Sequence, residues 1–261
     1  MPSKETLRKA YSTEYEPYRP AWKQTGWPLW KILRELTTRR RMARLKAHGK
    51  GQKLLEVGSG AGDFLYAAHQ AGWKVKAVEY NEKSAASLRS ELGLDVRTGE
   101  LRSGLWNEGE FDVVALWNVL EHVPNPRDVL DTACSYLKAG GLVYIGIPTL
   151  DATEQGNWFG QHWALLDLPR HLNFFGRASL SRICDQAGMD LILFQTPAID
   201  SAWCYFASCR SYLLHSCSTP QKFLRLLIVG MRALFTVPFM TLRAKQAHGT
   251  EAFAIAVKRA R

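Results

Sequence analysis

The sequence predicts an α/β protein built on a mostly parallel sheet with helices on both faces. Short apolar runs alternate with segments of helical periodicity between residues 53 and 198, and glycines close several of the helical segments. The runs Phe111–Trp117 and Leu142–Ile147 are continuously apolar, as expected for strands buried on both faces of a parallel sheet. The chain of 261 residues, 46% hydrophobic and 22% charged, has the composition of an ordinary globular protein with a substantial core.

The predicted elements begin in an N-terminal extension. Its helix is expected over about residues 29–46, with Pro28 at its start and Ile32, Leu33 and Leu36 on its apolar side. The predicted strands are 53–57, 74–79, 95–98, 111–117, 142–147, 190–195 and 252–257, and the helices between them are 64–71, 82–92, 127–138 and 178–187. The chain therefore divides into a helical extension (1–50), a sheet domain (51–198 with 249–261) and a helical insertion (199–248) before the last strand.

A turn of three glycines joins the first strand of the sheet domain to its first helix. Gly58, Gly60 and Gly62 allow positive φ and a close approach of ligand to backbone, and the helix start offers free N–H groups there. A dinucleotide-binding turn would place its third glycine where Asp63 stands, and the acid Glu56 would repel a pyrophosphate. The pattern Glu-x-Gly-x-Gly-x-Gly instead resembles the first motif of the class I S-adenosylmethionine (SAM)-dependent methyltransferases, in which this loop wraps the methionine part of the cofactor.

Two further stretches extend the resemblance. Glu79 ends the second strand about 20 residues beyond the turn, where an acid can accept ribose hydroxyls; the alternative is a solvated acid at a strand end. The segment from Phe111 to Val123, with its Leu-Glu-His-Val ending, is similar to the fourth-strand motif of the family, and open α/β sheets bind ligands at this edge. His122 in this ending could instead cap a helix or make a satisfied hydrogen bond.

The resemblance implies a fold, a cofactor and a set of contacts. It implies a Rossmann-like sheet of seven strands whose last strand is antiparallel, and SAM as cofactor. It implies the cofactor-binding residues Glu56, Gly58, Ser59, Gly60, Gly62, Glu79, Tyr80, Glu100, Leu101, Trp117 and Asn118, with Glu121 and His122 lining the floor of the site. No metal is expected.

The loop after the fifth strand supplies candidate groups for the methyl acceptor. Its Asp-x-Pro-Arg-His segment is similar to that of a bacterial methyltransferase subgroup. His171 is the first candidate for a general base on an acceptor hydroxyl, oriented by Asp167 or Arg170, and His162 is the second. A structural role for His171 is the alternative, because alignment of donor and acceptor can supply most of the catalysis of methyl transfer.

The insertion and the basic run 39–46 are the candidate surfaces for a partner. Phe223–Leu242 is as long as a membrane span but carries Arg232 near its middle, which favours a helix lying in the membrane interface. A hydrophobic cap over the site or a subunit contact is the alternative. The basic run holds part of the net charge of +10 and is expected to be either a solvated helix face or a surface for anionic membrane or nucleic acid.

The function expected from all these features is SAM-dependent methylation of a small or lipid-like acceptor at oxygen, in a cytoplasmic protein that associates with the inner membrane surface if the insertion binds lipid. Five cysteines without a Cys-x-x-Cys pair argue against a disulfide framework or zinc site, and residues 1–18 lack the features of a signal peptide. The rivals are a nucleic-acid or protein methyltransferase and a catalytically silent SAM-binding regulatory protein. Nucleic acid is disfavoured because the sequence shows neither a separate RNA-binding module nor an Asn-Pro-Pro-Tyr motif after the fourth strand. The sequence does not indicate an oligomeric state.

Overall fold

The computed structural model describes residues 28–152, 163–196, 208 and 250–260. Seven strands and five α-helices are present in these ranges. In chain order they are α1 (Pro28–His48), β1 (Lys53–Val57), α2 (Asp63–Gln70), β2 (Lys74–Glu79), α3 (Glu82–Leu92), β3 (Asp95–Thr98), β4 (Phe111–Trp117), α4 (Pro126–Tyr136), β5 (Leu137–Pro148), α5 (Arg177–Gln186), β6 (Met189–Gln195) and β7 (Glu251–Lys258). The predicted strands and helices are therefore confirmed, with shifts of their ends.

The strands form one sheet in the order β3-β2-β1-β4-β5-β7-β6. The β1 strand pairs in parallel with β2 on one side and with β4 on the other. The β7 strand runs antiparallel to both β5 and β6, so it alone is reversed, as the family resemblance implied. The chain moves outward from β1 in one direction and from β4 in the other. The carboxyl ends of these two strands therefore flank the switch point at which open α/β sheets bind ligands.

Alternate residues of the same strands fill two cores, one on each face of the sheet. Leu55, Val114 and Ile145 belong to the core that α4 and α5 complete through Leu130 and Leu180. Their neighbours along the strands lie in the other core, which α1 and α2 complete. That second core contains Leu45, Leu54, Phe64, Ala68, Val113, Ala115, Trp117, Leu142, Tyr144, Phe253 and Ile255. The period of two along each strand thus places helices on both faces, as predicted.

The junction between α4 and β5 differs from the prediction of a helix that runs to residue 138 and stops at Gly140 and Gly141. The helix ends at Tyr136, and Leu137 is already extended, with ψ 142°. Leu137 pairs with Phe111, and regular pairing resumes only between Leu142 and Val113. Because Leu137 is fully buried against the sheet, the chain leaves the helix there and the glycines lie in an irregular segment of the strand.

The helix of the N-terminal extension is confirmed over Pro28–His48, but its predicted apolar side is wrong. Ile32 is 52% exposed, whereas Leu45 is fully buried in the core that α1 and α2 complete. Leu36 is half-buried, so among the described side chains the prediction of the apolar side fails at Ile32. The side chain of Leu33 lies outside the described part of the chain.

Several predictions fall on residues that the structure does not describe. They concern residues 1–27, His162, and the insertion 199–248 apart from Ser208. Within the described residues, no helix combines the length and the apolar composition that crossing a membrane requires. The predicted interfacial helix Phe223–Leu242 lies outside that part.

Candidate active site

The glycine turn adopts the backbone that its sequence predicted. Gly58, Gly60 and Gly62 have φ values of 68°, 54° and 80°, all in the left-handed region. A Cβ on Gly58 would lie 2.9 Å from Cγ2 of Val119, in the loop that follows β4. The turn therefore needs glycine for its backbone at all three positions, and at Gly58 also for the close approach of the two loops at the switch point.

Glu56 is buried beneath this turn. Glu56 is only 2% exposed, and its Oε2 has no hydrogen-bond partner among the described residues. Desolvation holds the pKa of Glu56 well above its usual range, and the charge of Arg41 is the largest opposing influence. The hydroxyl of Ser59, in the turn itself, is also buried and without such a partner. Two predicted cofactor-binding residues thus carry polar atoms that a ligand with amino and hydroxyl groups could satisfy.

Glu79 links the end of β2 to the turn. Its Oε2 accepts a hydrogen bond from the backbone N–H of Gly60 at 2.7 Å, and its Oε1 accepts one from Asn81 at 2.8 Å. Burial raises the pKa of Glu79, and these backbone donors oppose the rise. The alternative of a solvated acid at a strand end is therefore wrong, since the residue is 3% exposed. Each oxygen keeps a second lone pair, so the carboxylate can still accept from a ribose hydroxyl.

The end of β4 combines packing with a polar group. Trp117 is 6% exposed and packs against Phe64, edge to face at 5.3 Å between ring centroids. Asn118 follows in a left-handed conformation, with φ 56°, and its N–H donates to the carbonyl of Gly146 at 2.8 Å. The structure therefore places Trp117 in the core, where only its indole Nε1 is a buried donor without a partner among the described residues. Asn118 is the residue that presents its side chain at the edge of the sheet.

The remaining predicted cofactor residues lie at the open side of the sheet. Tyr80 is 65% exposed, Glu100 is exposed, and Leu101 is half-buried against the core. The N–H of Gly99 donates to the carbonyl of Glu79 at 2.9 Å, so the segment before Glu100 is tied to the end of β2. These three residues flank Glu79 along the chain and the sheet, and their contacts with a cofactor stay a prediction.

Arginines of α1 lie over the same edge of the sheet. Arg34 makes a charged hydrogen bond to Asp63, the residue directly after the glycine turn, with its Nε 2.9 Å from Oδ2. Seven residues later on the helix, Arg41 donates to Oδ1 of Asn118 at 3.2 Å, and its guanidinium lies 4.6 Å from the ring centre of Trp117. A spacing of seven places both arginines on one face of the helix, so α1 contacts the loops after β1 and β4 together.

The basic run 39–46 is therefore not a uniformly solvated face. Arg44 lies over the ring of Phe253 at 4.0 Å, while Arg39 is exposed and pairs only loosely with Glu35 at 3.6 Å. A small cleft opens between this helix and the ends of β4, β5 and β7. Its lining residues are Thr37, Arg40, Arg41, Arg44, Trp117, Asn118, Gly146, Glu251, Ala252 and Phe253. The sequence analysis missed these arginines as site residues, although the spacing of Arg34 and Arg41 was a signal for one shared face.

The loop after β5 holds His171 by its ring and backbone. The Nδ1 of His171 lies 2.7 Å from the carbonyl oxygen of Leu165, and its Nε2 lies 3.7 Å from Oδ2 of Asp167. Asp167 also accepts from Nε of Arg170 at 2.8 Å. Desolvation is the main cause that lowers the pKa of His171, so the imidazole is neutral near pH 7. The predicted Asp167, Arg170 and His171 are thus brought together, whereas His162 lies outside the described residues.

The same loop packs on the Leu-Glu-His-Val ending. The carbonyl of Glu121 accepts from the N–H groups of Leu172 and Asn173, at 2.7 and 3.1 Å. The Nδ1 of His122 lies 3.1 Å from the carbonyl oxygen of Arg170, and the rings of His122 and His171 are 4.7 Å apart. Desolvation lowers the pKa of His122 to about 4. Two motifs separated by almost 50 residues therefore form one polar cluster beside Asn118.

A glycine turn at the switch point, a buried acid ending β2 and a reversed seventh strand define a class I SAM-dependent methyltransferase fold. The methyltransferase-domain family matches residues 29–193 of the chain. The chain belongs to this family, and SAM is its cofactor. The matched range includes α1 and its arginines as well as β1 to β6.

Similar proteins agree with this assignment. A ubiquinone biosynthesis O-methyltransferase of Azoarcus sp. (strain BH72) is 32% identical over 155 residues. That match covers 54% of this chain and 66% of the relative, so it spans a little under two thirds of that protein. A SAM-dependent methyltransferase from Archaeoglobus fulgidus aligns with a TM-score of 0.57 at 16% identity, over 86% of this chain and 94% of that chain. The [4+2]-cyclase SpnF aligns with a TM-score of 0.58 at 17% identity, over 86% and 81% of the two chains. The two structural matches show the fold alone.

Proposed function

We propose that the protein is a SAM-dependent O-methyltransferase that methylates a hydroxyl group of a small, largely apolar acceptor. The observation that carries the proposal is the site at the ends of β1, β2 and β4. There a glycine turn, two buried carboxyl groups and Asn118 converge. Such a set offers N–H donors, carboxylate acceptors and an amide, which suit a ligand with amino, carboxylate and ribose hydroxyl groups.

The residues assigned to the cofactor each have a defined role in this proposal. Glu56 and Ser59 offer their unpartnered oxygens to the methionine part, and Glu79 offers its remaining lone pairs to the ribose. Glu100 and Leu101 flank the adenine side. SAM supplies an activated methyl group on a sulfonium, so the protein needs chiefly to hold donor and acceptor in line and to exclude water.

The acceptor site is assigned to the side of Asn118 that faces α1 and the 163–175 loop. The aromatic and arginine lining of the cleft suits a flat, apolar body that carries polar substituents. The relatives named as ubiquinone biosynthesis O-methyltransferases support a phenol-like or quinone-like acceptor. His171 is the group proposed to take the proton of the acceptor hydroxyl, with Asp167 and Arg170 holding its loop.

The first experiment is calorimetric titration of the full chain with SAM and, separately, with NADH. Binding of SAM at micromolar concentration without binding of NADH is the expected result. Gly60→Val is expected to abolish SAM binding in a folded protein, because a branched side chain would stand in the turn where φ is 54°. Unchanged SAM affinity in that variant, or binding of NADH alone, would refute the site.

A catalytically silent SAM-binding protein is the second candidate, because a cofactor site on this fold does not by itself establish transfer to an acceptor. The measurement that separates the two is release of S-adenosylhomocysteine during incubation with a panel of phenols, catechols and hydroquinones. Product release with any acceptor supports the transferase. Tight SAM binding without turnover across the panel, which includes short-chain prenylated quinols, supports the silent protein.

Membrane association is a separate part of the proposal. It rests on the basic residues of α1 that stay exposed, such as Arg39 and Lys46, and on the apolar insertion. Co-sedimentation of the full chain with vesicles rich in phosphatidylglycerol, lost on deletion of residues 223–242, is expected. If the full chain stays in the supernatant, the insertion is a cap or a subunit contact and the protein is not peripheral to the membrane.

A further inference from the structure

Three ionisable side chains meet beside the candidate site in a way that the methyl-transfer geometry does not by itself require. One carboxylate oxygen of Glu121 and one ring nitrogen each of His122 and His171 lie within 4.8 Å of one another. Three atoms separated by no more than 4.8 Å all lie within about 2.8 Å of one common point, and that is the length of a hydrogen bond to oxygen. A hydroxyl or water oxygen at that point would be within hydrogen-bond reach of all three groups.

Each of the two histidines is held in place through its Nδ1 atom. The Nδ1 atoms lie 3.1 Å and 2.7 Å from the carbonyl oxygens of Arg170 and Leu165. A carbonyl only accepts, so each Nδ1 carries a proton, and the neutral ring of His171 has its lone pair on Nε2. The rings meet edge to face at 64° between their planes, which fixes their orientation relative to each other.

Glu121 is the third corner and the most buried one. It is 1% exposed, and neither carboxylate oxygen has a hydrogen-bond partner of normal length among the described residues, although its own backbone N–H and the side chain of Asn118 lie near enough to favour the ionised form. The charges that act on it come from different elements: Arg41 of α1 favours the ionised form, and Glu251 of β7 opposes it. In the 163–175 loop, the charge of Asp167 raises the pKa of both histidines and the charge of Arg170 lowers it. A buried carboxyl group so poorly satisfied is expected to serve a purpose other than packing.

We infer that Glu121 is the group that holds the proton released by the acceptor hydroxyl, and that this proton reaches it through His171. The inference rests on the proposed O-methyltransferase function. In the step, the O–H bond of the acceptor breaks while the new O–CH₃ bond forms and the S–CH₃ bond of SAM breaks. The sulfur keeps that electron pair as S-adenosylhomocysteine leaves. The proton passes from His171 through a water between the two groups to the Glu121 carboxylate, and it leaves to solvent before the next turnover.

The protonation states of Glu121 and the two histidines agree with a proton that passes through His171 and is held on Glu121. Desolvation raises the pKa of Glu121 to about 8. His171 and His122 have pKa values below their usual range, so neither retains a proton near pH 7. A proton accepted by His171 therefore moves on to the more basic carboxylate. Glu121 can accept it only in its ionised form, so the rate is expected to rise with pH through about 8. His122 packs on His171 and completes the triangle.

The test compares Glu121→Gln with Glu108→Gln, which makes the same chemical change at an exposed position. Two acceptors are used, a catechol with un-ionised hydroxyls and a nitrocatechol whose hydroxyl is already ionised at the pH of the assay. With the catechol, Glu121→Gln is expected to lower kcat by about 100-fold or more and to remove the rise toward pH 8. With the nitrocatechol it is expected to change kcat less than about fivefold, because no proton has to be taken up. An equal loss with both acceptors would overturn the inference.

A second readout does not depend on turnover. In NMR titrations of the full chain with S-adenosylhomocysteine, the His171 ring signals are expected to show an inflection near pH 8 that disappears in Glu121→Gln and persists in Glu108→Gln. Absence of that inflection in the unaltered chain would overturn the inference, whatever the assays show. Loss of activity on dialysis against a chelator, restored by a divalent cation, would also overturn it, since the three groups would then bind metal. Failure of SAM binding would instead refute the proposed function.

Discussion

Replacing Gly62 with alanine is the sharpest test of how the glycine turn is built. Gly62 has φ 80° and directly precedes α2, and a Cβ there would lie 2.2 Å from Cδ2 of Leu88 in α3. The left-handed backbone costs a non-glycine residue about 1–2 kcal/mol, and overpacking a buried contact costs about 1–3 kcal/mol more. The two costs together predict that Gly62→Ala lowers the free energy of unfolding by about 2–5 kcal/mol.

Gly72→Ala is the matched control. Gly72 has φ 89°, and a Cβ there would meet no atom within 4 Å, so only the backbone cost of about 1–2 kcal/mol applies. The steric part can be removed separately with Leu88→Ala, which shortens the side chain that the new methyl group meets. In that background Gly62→Ala is expected to cost no more than Gly72→Ala, which corresponds to a coupling of about 1–3 kcal/mol.

The assay is urea denaturation of the four variants and the unaltered chain, followed by circular dichroism, without added SAM. Equal losses for Gly62→Ala and Gly72→Ala, together with additivity of Gly62→Ala and Leu88→Ala, would refute the packing of the turn against α3. This outcome would leave the backbone cost of a positive φ untested at Gly62, because Gly72→Ala measures that cost separately.

Two further predictions concern the surroundings of the turn. Arg34→Met removes a charged hydrogen bond between two mostly buried side chains and is expected to lower the free energy of unfolding by about 1–3 kcal/mol. Arg39→Met, at a side chain 76% exposed, is expected to change it by less than about 0.5 kcal/mol, and equal effects would refute the contact of α1 with Asp63. The lowered pKa of His122 predicts acid sensitivity, because the unfolded chain takes up this proton first as pH falls from 6.5 to about 4. His122→Gln should therefore flatten the loss of stability in that window in urea titrations at successive pH values, and an unchanged slope would refute the burial of the ring.

The sheet could be predicted from the sequence because its signals are local. Each strand of the sheet has its own apolar run in the sequence. Three glycines within five positions predict the positive φ values of the turn. The reversed last strand has no local signal and came only from the resemblance to the methyltransferases. The end of α4 was placed too late because glycines are strong stop signals, whereas the burial of Leu137 that ends the helix depends on tertiary packing.

The residues of the candidate site that lie at strand ends could be placed together from the sequence, whereas those in the loops could not. Glu56, Glu79 and Asn118 lie at strand ends, where topology alone brings them together. The meeting of Glu121 and His122 with His171 joins residues almost 50 positions apart through backbone contacts of an irregular loop. No periodicity reports such contacts, so the sequence could nominate these residues but could not place them in one cluster.

The arginines of α1 show why composition alone misjudges a basic segment. The run 39–46 was weighed as a solvated face or as a surface for anions, yet Arg41 and Arg44 lie over aromatic rings of the sheet. A guanidinium on an aromatic ring is partly desolvated and keeps its stem in apolar contact, so part of the charge excess stabilises this edge of the fold instead of recruiting a partner. Since Arg34 and Arg41 hold the loops after β1 and β4 from one helix, any ligand that separates these loops must also displace α1. For such a ligand, the position of α1 and the occupancy of the site are thermodynamically linked, and Arg34→Met is expected to alter its affinity.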